Sequence, residues 1–315
     1  MRVAILDDYQ RVALSMADWP SIGAGVSVHP FHDRLGTEDQ VAERLRNFDV
    51  IVAMRERTPL PGSLIERLPL LKLIVTTGKR NAAIDVKAAC ARGVVVSGTS
   101  TLSQPPAELT WGLILALARS IPHESAAMRS GGWQSTIGVG LHGKTLGILG
   151  LGRLGTDVAR IGQAFGMHVI AWSQNLTRDK TDAAGVELVD KDALFQRADI
   201  VSVHLVLGDR TRGLVGEREL AMMKPTAFLI NTARGPIVDE HALIYALRHS
   251  VIAGAALDVF DEEPLPVDHP LRRLENALLT PHLGYVTTEN YRLAYGEAVE
   301  DIRAFLAGAP VRVLA

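Results

Sequence analysis

The chain is poor in the features that mark secreted, membrane and nucleic-acid-binding proteins. It has one cysteine, Cys90, in 315 residues. A single cysteine forms no internal disulfide and no cysteine-rich zinc site, and it fits a reducing compartment. No charge of one sign is in excess: 33 Lys and Arg stand against 35 Asp and Glu, a net charge of −2. That balance leaves no electrostatic footprint for nucleic acid or an anionic membrane surface. Long apolar runs are missing too. Residues 113–118 fall far short of the roughly 20 needed to span a bilayer, and Asp7 and Asp8 interrupt any signal-peptide core. The expectation is a cytoplasmic protein with no membrane or nucleic-acid partner and no metal. What the chain does have is 47 % hydrophobic and 22 % charged residues, a mix suited to large cores. At roughly 150 residues per domain, its length predicts two domains.

Short apolar runs alternate with longer amphipathic ones over residues 1–98. Strands are expected at 3–6, 26–29, 50–53, 73–75 and 94–96, with helices such as 37–46 and 85–92 between them. This alternation predicts βαβ units and a parallel sheet. The stretch TSTLSQPP at 99–106 breaks the pattern and marks a boundary. Pro105 and Pro106 suit a first helical turn, and Glu108 suits the positive end of the helix dipole. The helix that follows, 107–119, is apolar over most of its surface and is expected to be buried between domains or subunits. A second βαβ series begins at Lys144, with strands expected at 145–149, 168–172, 200–204, 227–230, 253–257 and 277–279. Six strands with intervening helices match a doubly wound nucleotide-binding domain. A last helix is expected near 288–307.

Gly150-Leu151-Gly152-Arg153-Leu154-Gly155 form a GxGxxG sequence between the strand TLGIL and a helix with Leu154, Val158, Ile161 and Phe165 on one face. Gly150 permits a tight turn, Gly152 lets backbone approach a pyrophosphate at the helix N-terminus, and Gly155 allows close helix–strand packing. The acid that normally follows the second strand and binds ribose hydroxyls is missing. Trp172-Ser173-Gln174-Asn175 stand there, with no acid before Asp179. Ser173, Gln174 and Asn175 can donate to a 2′-phosphate and Arg178 could neutralise it, or the neutral loop simply tolerates both coenzymes with Arg178 out in solvent; either way use of NADPH is expected beside NADH.

Three polar constellations follow three successive strands. Arg234 lies in INTARGPIVDE, Asp258 and Glu263 in ALDVFDEEP, and His282 in LLTPHLG. Ligands of open parallel sheets bind beyond the carboxyl ends of the strands, so these loops are expected to converge. Hydride transfer to a keto group needs a proton donor for the developing alkoxide, a role that suits His282. Glu263 is the candidate carboxylate partner that orients the imidazole. Arg234 can hold the carboxylate of a 2-oxo acid with two parallel hydrogen bonds.

With these motifs the chain resembles the D-isomer-specific 2-hydroxyacid dehydrogenase family, which includes glyoxylate/hydroxypyruvate reductases, D-lactate dehydrogenases and phosphoglycerate dehydrogenases. The stretches that carry the resemblance are GKTLGILGLGRLG, DIVSVHLVL, MKPTAFLINTARGPIVDE, ALDVFDEEPLP and LLTPHLGYVT. It implies an NAD(P)-dependent enzyme interconverting a 2-oxo acid and a D-2-hydroxy acid, with Arg234, Glu263 and His282 as the catalytic three. It also implies that Thr232 and Ala233 lie beside the coenzyme and that Asp258 partners the nicotinamide carboxamide. The implied fold is two doubly wound α/β domains: a Rossmann coenzyme domain, 99–287, inserted into a flavodoxin-like substrate domain made of 1–98 and 288–315. A homodimer is implied, with contacts from the helix after the first hinge and the segment 129–141. Feedback control through an added regulatory domain is not expected from a chain ending at Ala315.

The substrate loop Thr76-Thr77-Gly78-Lys79-Arg80-Asn81 departs from the family, which has a small, glycine-rich segment there whose backbone N–H groups bind the substrate carboxylate. Thr77, Gly78 and Lys79 are the candidate substrate residues in it, with Arg55 and Arg57 of AMRERT, in the loop after another strand, as further candidates. Lys79 and Arg80 either favour an extra anionic group or point to solvent. Two other functions share the scaffold: a dinucleotide-sensing, corepressor-like interaction protein, and a phosphite-type dehydrogenase. Formate dehydrogenases of the superfamily pair their His with Gln, so Glu263 argues against formate.

Overall fold

A computed structural model describes residues 1–314. It divides into two compact units, one formed by residues 1–102 and 286–315 and the other by 103–285. The division falls four residues after the first expected boundary and two before the second. None of the helices in the described residues is long and apolar enough to cross a membrane.

The first unit carries strands β1 (Arg2–Ile5), β2 (Ser27–Pro30), β3 (Val50–Ala53), β4 (Leu73–Thr76) and β5 (Val95–Gly98). They form one parallel sheet in the order β2-β1-β3-β4-β5, the flavodoxin-like arrangement. Strands such as VIVA and LIVT are buried at every position because both faces are covered. Helix Glu38–Leu45 starts at Thr37, whose side chain accepts from the Gln40 N–H while Gln40 reaches back to the cap. Its Val41, Ala42 and Leu45 pack with Leu64, Ile65 and Leu68 over Ile51 and Ile74.

The second unit carries β6 (Thr145–Leu149), β7 (His168–Trp172), β8 (Glu187–Leu188), β9 (Ile200–Val203), β10 (Phe228–Asn231), β11 (Gly254–Leu257) and β12 (Ala277–Leu279). All are parallel, in the order β12-β11-β10-β9-β6-β7-β8. The order reverses between β6 and β9, so this is a Rossmann sheet with its switch point beside the glycine-rich sequence. Six of its strands lie where the sequence pattern places them. The seventh, β8, is a two-residue edge strand with no apolar alternation to announce it.

Two apolar layers cover the two faces of this sheet. One contains Leu149, Val201, Leu229 and Leu257; the other contains Leu146, Ile148, Ile200 and Ala256. Helix Gln104–Ala118 has its prolines in the first turn and buries Trp111, Leu113 and Ile114 in the second layer. Much of the apolar surface that suggested burial between domains or subunits is therefore taken up inside its own unit. The glycine-loop helix, Arg153–Ala164, also departs from expectation. Its deepest face is Gly155, Val158, Ala159 and Gly162. Leu154 and Ile161 are only partly buried against the layer. Phe165 is 39 % exposed and stacks on Trp111 at 4.9 Å. Small residues win the inner face because the helix lies so close to the sheet: a Cβ on Gly162 would stand 2.7 Å from a methyl of Leu146.

Candidate active site

The turn after β6 is built for close backbone approach. Gly150 has φ +107°, and a Cβ there would meet the backbone carbonyl of His204 at 2.9 Å. At Gly155 a Cβ would stand 2.1 Å from the Gly150 oxygen, so only glycine lets the helix start against the turn. Gly152 caps the helix without a side-chain hydrogen bond, and no atom lies within 4 Å of where its Cβ would be. The open N–H groups of the first turn, including those of Arg153 and Leu154, suit a pyrophosphate.

Beside this turn lies a cavity of about 440 Å³, lined on one side by Trp172, Gln174 and Asn175 and on the other by residues from the loop after β9, including Val206 and Leu207. Its place at the switch point and its size suit an adenosine. Gln174 is thus where the sequence pattern puts it. Ser173 is half-buried next to the wall, and Arg178 is exposed at the start of helix Arg178–Ala184; neither lines the cavity. Arg210, on the other wall, escaped the sequence reading.

The loops after β10, β11 and β12 carry the polar constellation. Glu263 accepts from the Phe260 N–H at 3.0 Å through Oε1, and its Oε2 lies 2.6 Å from Nδ1 of His282. Burial pushes the Glu263 carboxyl up, but the hydrogen bond and charge of His282, the Phe260 N–H and the charge of Arg234 outweigh it. The net pKa is lowered and the group stays a carboxylate. Nδ1 being taken up, Nε2 is the nitrogen His282 has for a ligand. His282 itself has φ +54°, a left-handed conformation that histidine tolerates better than most residues, and its ring meets Tyr285 edge-on at 5.4 Å.

Asp258 fastens the same loop. It accepts from Thr280 Oγ1 at 2.6 Å and from the N–H groups of Leu283 and Gly284 at 2.7 and 2.9 Å. Burial pushes its carboxyl above the usual range against these bonds. On the β10 loop, Asn231 holds the turn by donating to the Arg234 carbonyl and accepting from the Ala233 N–H. Arg234 donates to the Ala233 carbonyl at 2.8 Å, and Thr232 meets Thr110 hydroxyl to hydroxyl at 2.8 Å. Gly235 ties the β10 and β11 loops together: a Cβ there would lie 2.1 Å from the Phe260 carbonyl carbon. The sequence reading passed over this glycine, whose need shows only in the approach of a loop 25 residues on.

In the first unit, Arg55 lies on the loop after β3 with φ +52°. Its N–H donates to Thr77 Oγ1 at 2.9 Å and its Nη1 to the Thr77 carbonyl at 3.3 Å. A Cβ on Gly78 would strike that Nη1. Arg55, Thr77 and Gly78 thus form one cluster at the carboxyl edge of their sheet, while Lys79 and Arg80 are exposed. Among the described residues no group of three or more His, Cys, Asp or Glu side chains is placed to hold a metal ion.

Residues 111–284 match the model of the D-isomer specific 2-hydroxyacid dehydrogenase family, NAD binding domain. The chain belongs to this family. It is an oxidoreductase family, and the matched domain is its NAD binding domain. The chain is 43 % identical over 255 residues to the glyoxylate reductase of Aeropyrum pernix, covering 78 % of this chain and 76 % of the relative. It is 40 % identical over 276 residues to the D-3-phosphoglycerate dehydrogenase of Methanocaldococcus jannaschii, covering 86 % of this chain but spanning only 52 % of that relative. The structure superposes on that of a phosphoglycerate oxidoreductase from Vibrio cholerae with a TM-score of 0.93 and 39 % identity, over 98 % of this chain and 100 % of the other.

Proposed function

We propose that this dehydrogenase interconverts a 2-oxo acid and a D-2-hydroxy acid, with His282 as acid/base, Glu263 as its carboxylate partner and Arg234 as the substrate's anchor. The observation that carries the reading is the 2.6 Å contact between His282 Nδ1 and an ionised Glu263, with the positive charge of Arg234 felt at the same carboxylate. Bound NAD(P)H supplies a hydride to the carbonyl carbon. His282 Nε2 gives a proton to the carbonyl oxygen as negative charge gathers there, and takes it back from the hydroxyl in the reverse direction. Arg234 holds the carboxylate and carbonyl through its planar fork, which fixes the face presented for reaction. The pyrophosphate is assigned to the first-turn N–H groups from Gly152 to Gly155, and the adenosine to the cavity. Thr232, Ala233 and a remaining lone pair of Asp258 are assigned to the nicotinamide end. In the first unit, Arg55, Thr77, Gly78 and Lys79 are assigned as candidate substrate-binding residues, on the carboxyl edge of their own parallel sheet.

The test is a panel of 2-oxo acids, glyoxylate and hydroxypyruvate among them, followed by nicotinamide absorbance with both coenzymes. With the best acid, His282→Ala should lose on the order of 10²–10⁴-fold in kcat while coenzyme affinity holds. Retention of more than about a third of wild-type turnover would overturn the assignment. We also propose a homodimer, supported by the exposed apolar side chains Ile121, Met128, Trp133 and Ile137, the last two 73 % and 99 % exposed. The mass in solution by light scattering checks it. A cytoplasmic setting is supported by the one free, exposed cysteine.

A further inference from the structure

The loop after β7 offers a phosphate no charge. Trp172 at the end of β7, and Gln174 and Asn175 after it, are neutral in the cavity wall, and Arg178, the first cation beyond them, is exposed and outside the lining. The facing loop after β9 differs. Its Asp209 and Arg210 both line the cavity and are its only charged residues. Neither takes part in an ion pair or a side-chain hydrogen bond among the described residues, although cations elsewhere on the surface, such as Arg44 and Arg197, are clamped on carboxylates. The loop that carries them is not slack. Thr211 Oγ1 accepts from the Gly208 N–H at 2.9 Å and donates to the Val206 carbonyl at 2.7 Å, and the N–H groups of Thr211 and Arg212 both bond the Gly208 carbonyl. Arg210 therefore stands on a closed turn, with its guanidinium uncommitted, at the wall of the space assigned to the adenosine.

We propose that Arg210, and not a residue after β7, is the cation that meets a 2′-phosphate on the coenzyme's adenosine ribose and so sets the preference between NADP and NAD. The proposal rests on placing the adenosine in this cavity. The added group carries about −1.5 to −2 charges near neutral pH, and a guanidinium is suited to grip it with paired hydrogen bonds. Asp209, its neighbour on the same wall, works against it by repelling the phosphate. The site thus opposes one attraction to one repulsion, and removing either charge should move the preference in a known direction.

The test is calorimetric titration of the full chain with adenosine 2′,5′-bisphosphate and with 5′-AMP, which needs no turnover. The wild type should bind the bisphosphate more tightly, by a margin that shrinks as salt rises. Arg210→Gln should weaken the bisphosphate by about tenfold and leave 5′-AMP within about twofold. Asp209→Asn should tighten the bisphosphate several-fold, again sparing 5′-AMP. Arg178→Ala should change neither. Equal losses for both ligands in Arg210→Gln, no loss for either, or a larger loss in Arg178→Ala would overturn the proposal. Failure of the wild type to bind 5′-AMP would instead overturn the placement of the adenosine, and the proposal with it.

Discussion

Glu263→Gln isolates the charge of the dyad from its shape. Glutamine keeps the length and one acceptor oxygen, yet in the wild type two donors, Phe260 N–H and His282 Nδ1, share the carboxylate. One of those hydrogen bonds is therefore lost along with the charge. With charge centres about 4 Å apart and an effective dielectric near 20, the attraction between carboxylate and imidazolium is about 4 kcal/mol. The side chains are 25 % and 34 % exposed, so screening reduces this to roughly 2 kcal/mol. In the proposed reduction His282 acts as the acid and so must carry its proton. Losing about 2 kcal/mol of attraction between the carboxylate and the protonated ring should move the alkaline limb of the reduction rate to lower pH. In oxidation the acid limb should extend to lower pH. The assay is kcat/KM for the best oxo acid and for its hydroxy acid across pH, read by nicotinamide absorbance. Limbs that stay within about 0.3 unit of the wild type, with kcat reduced or not, would refute the view that Glu263 acts through its charge.

Three further outcomes follow from the geometry. Arg234→Lys keeps the charge but not the two-point grip, so KM for the oxo acid should rise strongly and kcat should fall. Survival of both within about twofold would make Arg234 structural. Gly235→Ala forces the Phe260 backbone away from a Cβ it would otherwise approach to 2.1 Å. The β11 loop and Glu263 should shift, with a cost of roughly 1–3 kcal/mol in stability and a clear loss of kcat; a Tm and kcat like the wild type would show the loops are not coupled there. Asp301 is buried, and burial holds its carboxyl up at about 6 from an ordinary 3.8 despite the Arg312 guanidinium bonded to it. Its folded pKa lies above the unfolded one, so its contribution to stability is full below about pH 3.8 and is lost as pH rises through about 6. Asp301→Asn should therefore flatten the fall in Tm between those limits, and an unchanged slope would refute the assignment.

Much of this was open to reading because it is periodic or local. The strand TLGIL ends where a glycine must turn, and the residues of the dyad follow neighbouring strands of one parallel sheet, so position along the chain maps directly onto position along its edge. What escaped is what depends on two distant segments meeting. Arg178 was the nearest cation in sequence to the second strand, but the cavity's other wall comes from a loop more than thirty residues on, where Arg210 stands. Gly235 looked like any glycine in a loop until the Phe260 backbone came against it. The helix Arg153–Ala164 was given the face of its largest apolar residues, although close approach to the sheet selects its smallest. The edge strand β8 is too short to leave a pattern.

The end of the first unit's chain has a bearing on how the protein would fail. Beyond helix Thr288–Leu306 the backbone returns along β5: the Gly98 N–H donates to the Arg312 carbonyl, the Leu314 N–H to the Val96 carbonyl, and Ser97 bonds the Val311 carbonyl through its hydroxyl. Ser97 and Val313 pair antiparallel in a sheet that is otherwise parallel. These few residues thus cover the outer margin of a strand whose unpaired backbone groups would recruit any extended peptide, including another copy of the same strand. Leu314 also rests 3.4 Å from the position of a Gly98 Cβ, which the Gly78 carbonyl oxygen approaches to 2.6 Å. A protease cut just after the helix would therefore do two things at once. It would leave a sticky margin that templates aggregation, and it would remove the packing of Leu314 against the Gly98–Gly78 approach, so that loss of solubility and loosening of the Thr77–Gly78 turn would appear together in aged or nicked preparations.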